Sequence, residues 1–122
     1  MWKLRKSLLG DLLVAARNTY PHEFFALLAV KHDKQLIEEF VIIPAVYGET
    51  HAIFRGDLIP FDASIVGSVH SHPTPSLFPS RADVHAFARF GRIHLIIAFP
   101  FNLTSVKAFN GKGSAVQVRV VD

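Results

Sequence analysis

The apolar positions of this chain change their spacing from one segment to the next. Over residues 1–20, leucines and alanines recur every three or four positions, which predicts an amphipathic helix. Pro21 lacks an amide hydrogen, so it cannot continue that helix. Residues 24–30 form a continuous apolar run that is typical of a central strand, and residues 35–43 follow a short polar turn. The two runs therefore predict an antiparallel hairpin.

The second half of the chain predicts a further series of strands around one helix. An apolar run ends in a pair of histidines, a helical pattern follows it, and a nearly all-apolar run and two alternating segments complete the chain. In order, these are residues 65–72, 80–90, 93–99, 103–109 and 114–120. Residues 46–57 are the least regular and predict a loop or short strand in a hairpin-like excursion. The whole pattern predicts an α/β fold, a single mixed sheet of about six strands with two main helices.

Composition narrows the class of protein. A chain of 122 residues, half of them hydrophobic, is long enough for one domain over residues 1–122 with a single core. The absence of cysteine excludes disulfides, thiolate zinc ligands and a thiol nucleophile. We expect a cytoplasmic protein with no membrane partner, because no apolar run could cross a bilayer and no cleavage pattern follows the N-terminus. The net charge of +3 favours acidic partners weakly, and without a basic cluster we expect no nucleic-acid binding.

The densest group of chemically useful side chains lies between residues 70 and 83. His70 and His72 are two apart at the end of a predicted strand, so both imidazoles point to one face while Ser71 points to the other. Ser80 begins the next predicted helix, and Asp83 lies one turn along it. As a lone feature, Ser80 and Asp83 are typical of an ordinary helix cap. Together with the two histidines they predict a three-ligand metal site with an open fourth position, as in catalytic zinc centres.

This pattern resembles that of the JAMM (MPN+) metalloprotease family. The family motif is H-S/T-H-P, six residues and S-x-x-D, and residues 70–83 match it at every fixed position. The family also carries an upstream glutamate, for which Glu23 in the segment Pro21-His22-Glu23 is the candidate. The resemblance extends over nearly the whole chain and is closest to small single-domain archaeal members.

The resemblance implies a zinc-dependent hydrolysis. It assigns the zinc ion to His70, His72 and Asp83, with a bound water whose pKa falls to about 7. Glu23 would act as the general base on that water and pass the proton to the leaving amine. The hydroxyl of Ser80 would donate to the oxyanion of the tetrahedral intermediate.

The resemblance also implies a fold and further roles. The fold would be similar to that of the zinc-dependent cytidine deaminases, although this chain lacks their cysteine ligands. Ser71, facing away from the metal, would orient the groups behind the ligands. Phe54 and Arg55, in the irregular segment, are candidates for holding an extended substrate tail by strand addition.

The implied substrate is the bond between the C-terminal glycine of a ubiquitin-like modifier, here a small archaeal one, and a target lysine. Two alternatives stay open on the sequence alone. One is a zinc hydrolase that trims the C-terminus of a sulfur-carrier protein, since related zinc hydrolases share a similar motif. The other is a non-catalytic module that binds the modifier. A homodimer is also compatible with the sequence.

Overall fold

The structure, a computed structural model, describes residues 1–42, 45–47, 52–54 and 63–122. In chain order the elements are β1 (Trp2–Arg5), α1 (Lys6–Thr19), β2 (Phe25–Val30), β3 (Leu36–Ile42), β4 (Ala45–Tyr47), β5 (Ala52–Phe54), β6 (Ile65–His72), α2 (Arg81–Phe87), β7 (Ile93–Ala98), β8 (Val106–Phe109), β9 (Ala115–Val116) and β10 (Val118–Val121). None of the helices in this part of the chain is long and apolar enough to span a membrane.

The first helix begins later than the sequence predicts. Residues 2–5 form strand β1, so the prediction of a helix from residue 1 is wrong there. Leu4 fits the helical spacing, but its backbone pairs in parallel with Val120 of β10 and with Ile37 of β3. Those two partners are distant in sequence, and local periodicity carries no sign of them. The predicted end of the helix is confirmed, since α1 stops at Thr19 before Pro21.

Within the described residues, eight strands form one mixed sheet in the order β10-β1-β3-β2-β6-β7-β8-β9. The expectation of about six strands is therefore wrong, while the mixed sheet and two helices are confirmed. One added strand is β1, and the other arises because the predicted strand 114–120 divides at Gln117 into β9 and β10. Strand β9 pairs with β8 and β10 pairs with β1, at opposite ends of the order. Because one residue joins them, the sheet must curve until its two ends are neighbours.

Both predicted hairpins are present. Strands β2 and β3 pair in antiparallel fashion at the centre of the sheet. Within the irregular segment, β4 and β5 also pair in antiparallel fashion, with Ala45 opposite Phe54. The side chain of Phe54 and the whole of Arg55 lie outside the described residues. The similarity to cytidine deaminases and the single domain over residues 1–122 stay predictions.

The sheet packs one helix on each face. Helix α1 buries one stripe on the first face, made of Leu8, Leu9, Leu12, Leu13 and Ala16. Alternate strand residues meet that stripe, among them Ala26, Leu28, Val69, Leu95 and Ile97. The other face carries Phe25 and Leu27 in one cluster and Phe87, Ile96 and Phe109 in another. Adjacent residues of β2, β6 and β7 thus serve opposite faces, as the two-residue strand period requires.

The crossover from β6 through α2 to β7 decides where the first residues of α2 lie. Strands β6 and β7 are parallel neighbours, so the helix between them returns the chain along one face of the sheet. Helix α2 consequently begins beside the carboxyl end of β6. Its predicted extent, residues 80–90, is too long, since it ends at Phe87. Gly91 follows with φ +119°, and a Cβ there would lie 2.3 Å from the Val66 carbonyl oxygen, so this turn requires glycine.

Candidate metal centre

The last residues of strand β6 bring two imidazoles together. His70 and His72 lie two residues apart and their side chains share one face, with the Nε2 atoms 3.1 Å apart. His70 is buried and His72 is partly buried. The Nδ1 of His72 lies 2.9 Å from the carbonyl oxygen of Ser76. Because a carbonyl only accepts, Nδ1 donates, so Nε2 is the nitrogen whose lone pair is available to a metal when the ring is neutral.

Helix α2 supplies the third group. Asp83 places Oδ1 at 3.2 Å from the Nε2 of His70 and Oδ2 at 3.1 Å from the Nε2 of His72. The carboxylate is itself fixed by a capping box, in which the Ser80 N–H donates to Oδ2 at 2.8 Å. One ligand atom from each of these three side chains lies within 4.8 Å of the other two. The structure therefore brings together the three predicted ligands.

The carboxylate of Asp83 and the imidazole of His72 stabilise each other's charged forms. Burial alone would raise the pKa of Asp83, but hydrogen bonds with His70 and His72 hold that pKa well below its ordinary value. Burial likewise opposes the charged form of His72, but the hydrogen bond with Asp83 raises the pKa of His72 above its ordinary value. The imidazole nitrogens of His70 and His72 and a carboxylate oxygen of Asp83 lie close together. Two nitrogens and one carboxylate oxygen are a set of ligands that zinc accepts. These residues fit a zinc ion with a free position beside them.

Ser71 connects the two histidines to the segment that carries Glu23. The side chain of Ser71 is buried on the face of the sheet opposite the histidines. The Ser71 hydroxyl accepts a hydrogen bond of 2.7 Å from the Phe24 N–H, and the Ser71 N–H donates to the Phe24 oxygen at 2.9 Å. These two bonds fix the backbone of the residue that follows Glu23.

The register of β2 against β6 locates Glu23. Phe25 is the partner of His70 in this antiparallel pair. Glu23 precedes β2 by two residues, and a backbone that continued this register would bring it opposite His72 on the same face. The negative charge of Glu23 contributes to raising the pKa of His72, in keeping with this position. Glu23 is partly buried, and its effect on His72 indicates that its charge lies near the ligands.

Ser80 lies at the first turn of α2, beside the carboxylate of Asp83. Its side-chain oxygen accepts a hydrogen bond of 3.0 Å from the Asp83 N–H. The residue is exposed, and its own hydroxyl proton is not used by that bond. Ser80 can therefore cap the helix and donate a hydrogen bond at the same time.

Sequence reasoning missed a polar pair on the same face as the histidines. Ser68 and His94 are buried side by side, with Oγ of Ser68 2.7 Å from Nδ1 of His94. His94 has no ligand spacing, and nothing in the metal motif points to it. The available signal was a histidine within an all-apolar central strand, where a polar side chain needs a partner.

The chain is similar in sequence to a known protein family and to a probable metalloprotease. Residues 5–110 match the family described as prokaryotic homologs of the JAB domain. A probable metalloprotease from Haloferax volcanii is 35% identical over 119 residues, covering 90% of this chain and 73% of that protein.

Solved structures give the same picture. A JAB1/MPN domain protein from Archaeoglobus fulgidus is 37% identical with a TM-score of 0.81, covering 98% of this chain and 99% of that one. A structure described as a JAMM metalloprotease-like zinc site in the proteasome and signalosome is 35% identical, with a TM-score of 0.77 over 100% and 99% of the two chains. A protein from Desulfitobacterium hafniense, 20% identical with a TM-score of 0.66 over 100% and 94%, shares the fold.

Proposed function

Because the chain belongs to the family of prokaryotic homologs of the JAB domain, as a small JAMM/MPN+ member, we propose a substrate and a set of catalytic residues for it. The protein is a zinc-dependent metalloprotease. The proposed reaction is hydrolysis of the isopeptide bond between the C-terminal glycine of a ubiquitin-like modifier and a target lysine. The single observation that carries the proposal is the convergence of His70, His72 and Asp83 at the carboxyl end of β6.

The proposed zinc ligands are Nε2 of His70, Nε2 of His72 and a carboxylate oxygen of Asp83. When bound there, zinc supplies Lewis-acid polarisation of a carbonyl and makes water more acidic. The chain orients its ligands through further contacts. The Ser76 carbonyl fixes the ring of His72, and the Ser80 N–H fixes the carboxylate.

Glu23 is the proposed general base. The register of β2 against β6, continued by two residues, supports a position opposite His72, and the two hydrogen bonds between Phe24 and Ser71 hold the backbone of the residue that follows Glu23. In the proposed mechanism its carboxylate accepts a proton from the attacking water and delivers that proton to the lysine amine as the carbon–nitrogen bond breaks. Ser71 acts here as a positioning residue that keeps Glu23 in reach.

Ser80 is the proposed oxyanion donor. Its oxygen is already fixed by the Asp83 N–H, which limits the directions available to the hydroxyl proton. A donor held in place before the reaction costs no reorganisation when negative charge develops on the carbonyl oxygen.

The proposed substrate class rests on the family resemblance and on charge. The resemblance implies a diglycine tail, and glycine allows a substrate backbone to approach a reacting centre closely because it has no side chain. The net charge of +3 favours an acidic modifier over a basic one. The retained ligand set argues against a purely non-catalytic binding module.

The test is cleavage of a purified modifier–lysine conjugate by the zinc-loaded protein. A linear fusion of the same modifier to a peptide is presented beside the branched conjugate. We expect the branched bond to be cut and Glu23→Gln to lose about 10²- to 10⁴-fold in kcat. The matched control is Glu39→Gln, an exposed carboxylate on β3 that pairs with Lys31 at 2.9 Å, and it should retain full activity. Exclusive cleavage of the linear fusion would move the assignment to C-terminal trimming, and an equal rate for Glu23→Gln and wild type would refute the mechanism.

A further inference from the structure

We infer that His94, together with Ser68, is a positioning residue that holds helix α2 in the place where Asp83 meets His70. This inference rests on the ligand assignment proposed above. It adds a function for two buried polar side chains that the hydrolytic mechanism itself does not use.

The pair is completely enclosed. Ser68 is 1% exposed and His94 is 0% exposed, so neither can touch a substrate. The Ser68 Oγ lies 2.7 Å from His94 Nδ1, and His94 Nε2 lies 3.0 Å from the Gly91 carbonyl oxygen. Because that carbonyl only accepts, Nε2 donates, and the Nδ1 of a neutral ring accepts from the serine hydroxyl. Burial lowers the pKa of His94 to about 4, in agreement with the neutral ring.

One aromatic ring transmits the position of His94 to the metal centre. The rings of Phe87 and His94 are stacked, with centroids 4.5 Å apart and an interplanar angle of 12°. Phe87 is four residues after Asp83 on α2, so both side chains lie on the same face of that helix. The Phe87 ring also lies 6.0 Å from the ring of His70. A shift of His94 would therefore displace the helix that carries Asp83 and the packing of His70.

A second link runs through the backbone. The Gly91 carbonyl belongs to the turn that follows α2, and its bond with His94 ties that turn to strand β7. On the other side, Ser68 ties His94 to β6, two residues before His70 and on the same face. His94 therefore contacts both Phe87, the buried residue of α2, and Gly91, in the turn that follows the helix.

Helix α2 needs such support because it is short. It has seven residues and buries only Phe87. A helix of this length has little stability of its own, and its position depends on tertiary contacts. An apolar side chain in place of His94 could fill the space, but it would leave Ser68 and Gly91 unpaired and would not define one orientation.

The test compares His94→Leu with Leu95→Ala, measuring Co²⁺ and Zn²⁺ binding by the full chain. Leu95 is the next residue of β7, but it packs on the α1 face, so its truncation weakens the core without touching α2. We expect His94→Leu to bind both metals about 10- to 100-fold more weakly than wild type and to change the visible absorption bands of bound Co²⁺. Leu95→Ala should keep the wild-type spectrum and an affinity within about threefold, although urea unfolds it more easily.

Ser68→Ala is the milder second variant, in case His94→Leu does not fold. This substitution removes the hydroxyl that donates a hydrogen bond to Nδ1 of His94. We expect it to weaken Co²⁺ binding by about 2- to 10-fold. The inference is overturned if the folded variants of His94 and Ser68 match Leu95→Ala in affinity and spectrum. A wild-type chain that takes up neither Co²⁺ nor Zn²⁺ would instead overturn the proposed function, and with it this inference.

Discussion

Strands β6 and β7 present different chemistry to the two helices that cover them. Towards α1 they present Val69, Leu95 and Ile97, which join one continuous apolar cluster. Towards α2 the alternate residues include Ser68, His70, His72 and His94, with Phe87 and Phe109 packed among them. The faces differ in their helices too, since α1 has 14 residues with five buried and α2 has seven with one.

One face of the sheet thus carries most of the apolar core, and the other carries the polar groups of the candidate metal centre. Apolar burial on the α1 face is non-directional and supplies most of the driving force for folding. Polar groups on the α2 face must each find a partner, and among the described residues no buried side-chain nitrogen or oxygen lacks one. The four predictions below test this division, beginning with the largest expected effect.

Asp83→Ala should abolish metal binding, because two imidazoles alone do not make the three-ligand site. Zinc content after dialysis is expected to fall from about one ion per chain to below about 0.1, with loss of proteolytic activity. Atomic absorption measures the metal, and circular dichroism verifies that the variant is folded. Retention of a full zinc complement by the folded variant would contradict the ligand assignment.

Leu12→Ala should produce the opposite result. Leu12 is 0% exposed at the centre of the α1 stripe, and its truncation should lower the free energy of unfolding by about 2–5 kcal/mol. Urea titration measures that loss. Zinc content per folded chain should equal that of wild type, and a loss of zinc as large as that of Asp83→Ala would show that the faces are not separable.

Ser80→Ala should affect both functions of the α2 face by different amounts. Loss of the oxyanion donor is expected to lower kcat by about 10²- to 10³-fold, while loss of the helix cap costs about 1 kcal/mol of stability. Steady-state kinetics on the zinc-loaded variant and urea titration measure the two effects. Ser80→Thr keeps the hydroxyl and should recover most of the stability. A kcat unchanged by the alanine variant would remove Ser80 from the mechanism.

His94 should make the stability of the α2 face depend on pH. Its pKa is about 4 in the folded chain and about 6.5 as the ordinary value, so between these values the unfolded chain binds more protons. The stabilisation is complete above pH 6.5 and is lost as the pH falls towards 4, by about 3 kcal/mol in total. Urea titration in EDTA at several pH values should show a smaller loss for His94→Gln than for wild type. Equal losses would contradict the neutral buried ring.

Several features could be read from the chain because they depend on local order. The stripe of α1, the hairpin of β2 and β3 and the whole of β6 follow from hydrophobic spacing. The three candidate ligands were also accessible, since a strand of period two and a capped helix restrict where His70, His72 and Asp83 point. A fixed motif links those two elements.

Other features depended on partners far along the chain. The residues of β1 fit the same helical spacing as those of α1, and they form a strand because they pair with β10 and β3. The division of residues 114–120 at Gln117 is equally invisible in an alternating sequence, because each half pairs with a strand near a different end of the sheet order. Ser68 and His94 are 26 residues apart and share no motif, so their hydrogen bond appears only once β6 and β7 are parallel neighbours.

The identities and local directions of the candidate metal ligands thus follow from the amino-acid order alone, because alternation within a strand and capping of a helix are short-range effects. Long-range pairing set how the sheet closes, which strands flank β6, and which polar side chains meet between β6 and β7. Those arrangements depend on strand register, and register is set by the simultaneous burial of many apolar side chains rather than by any one segment.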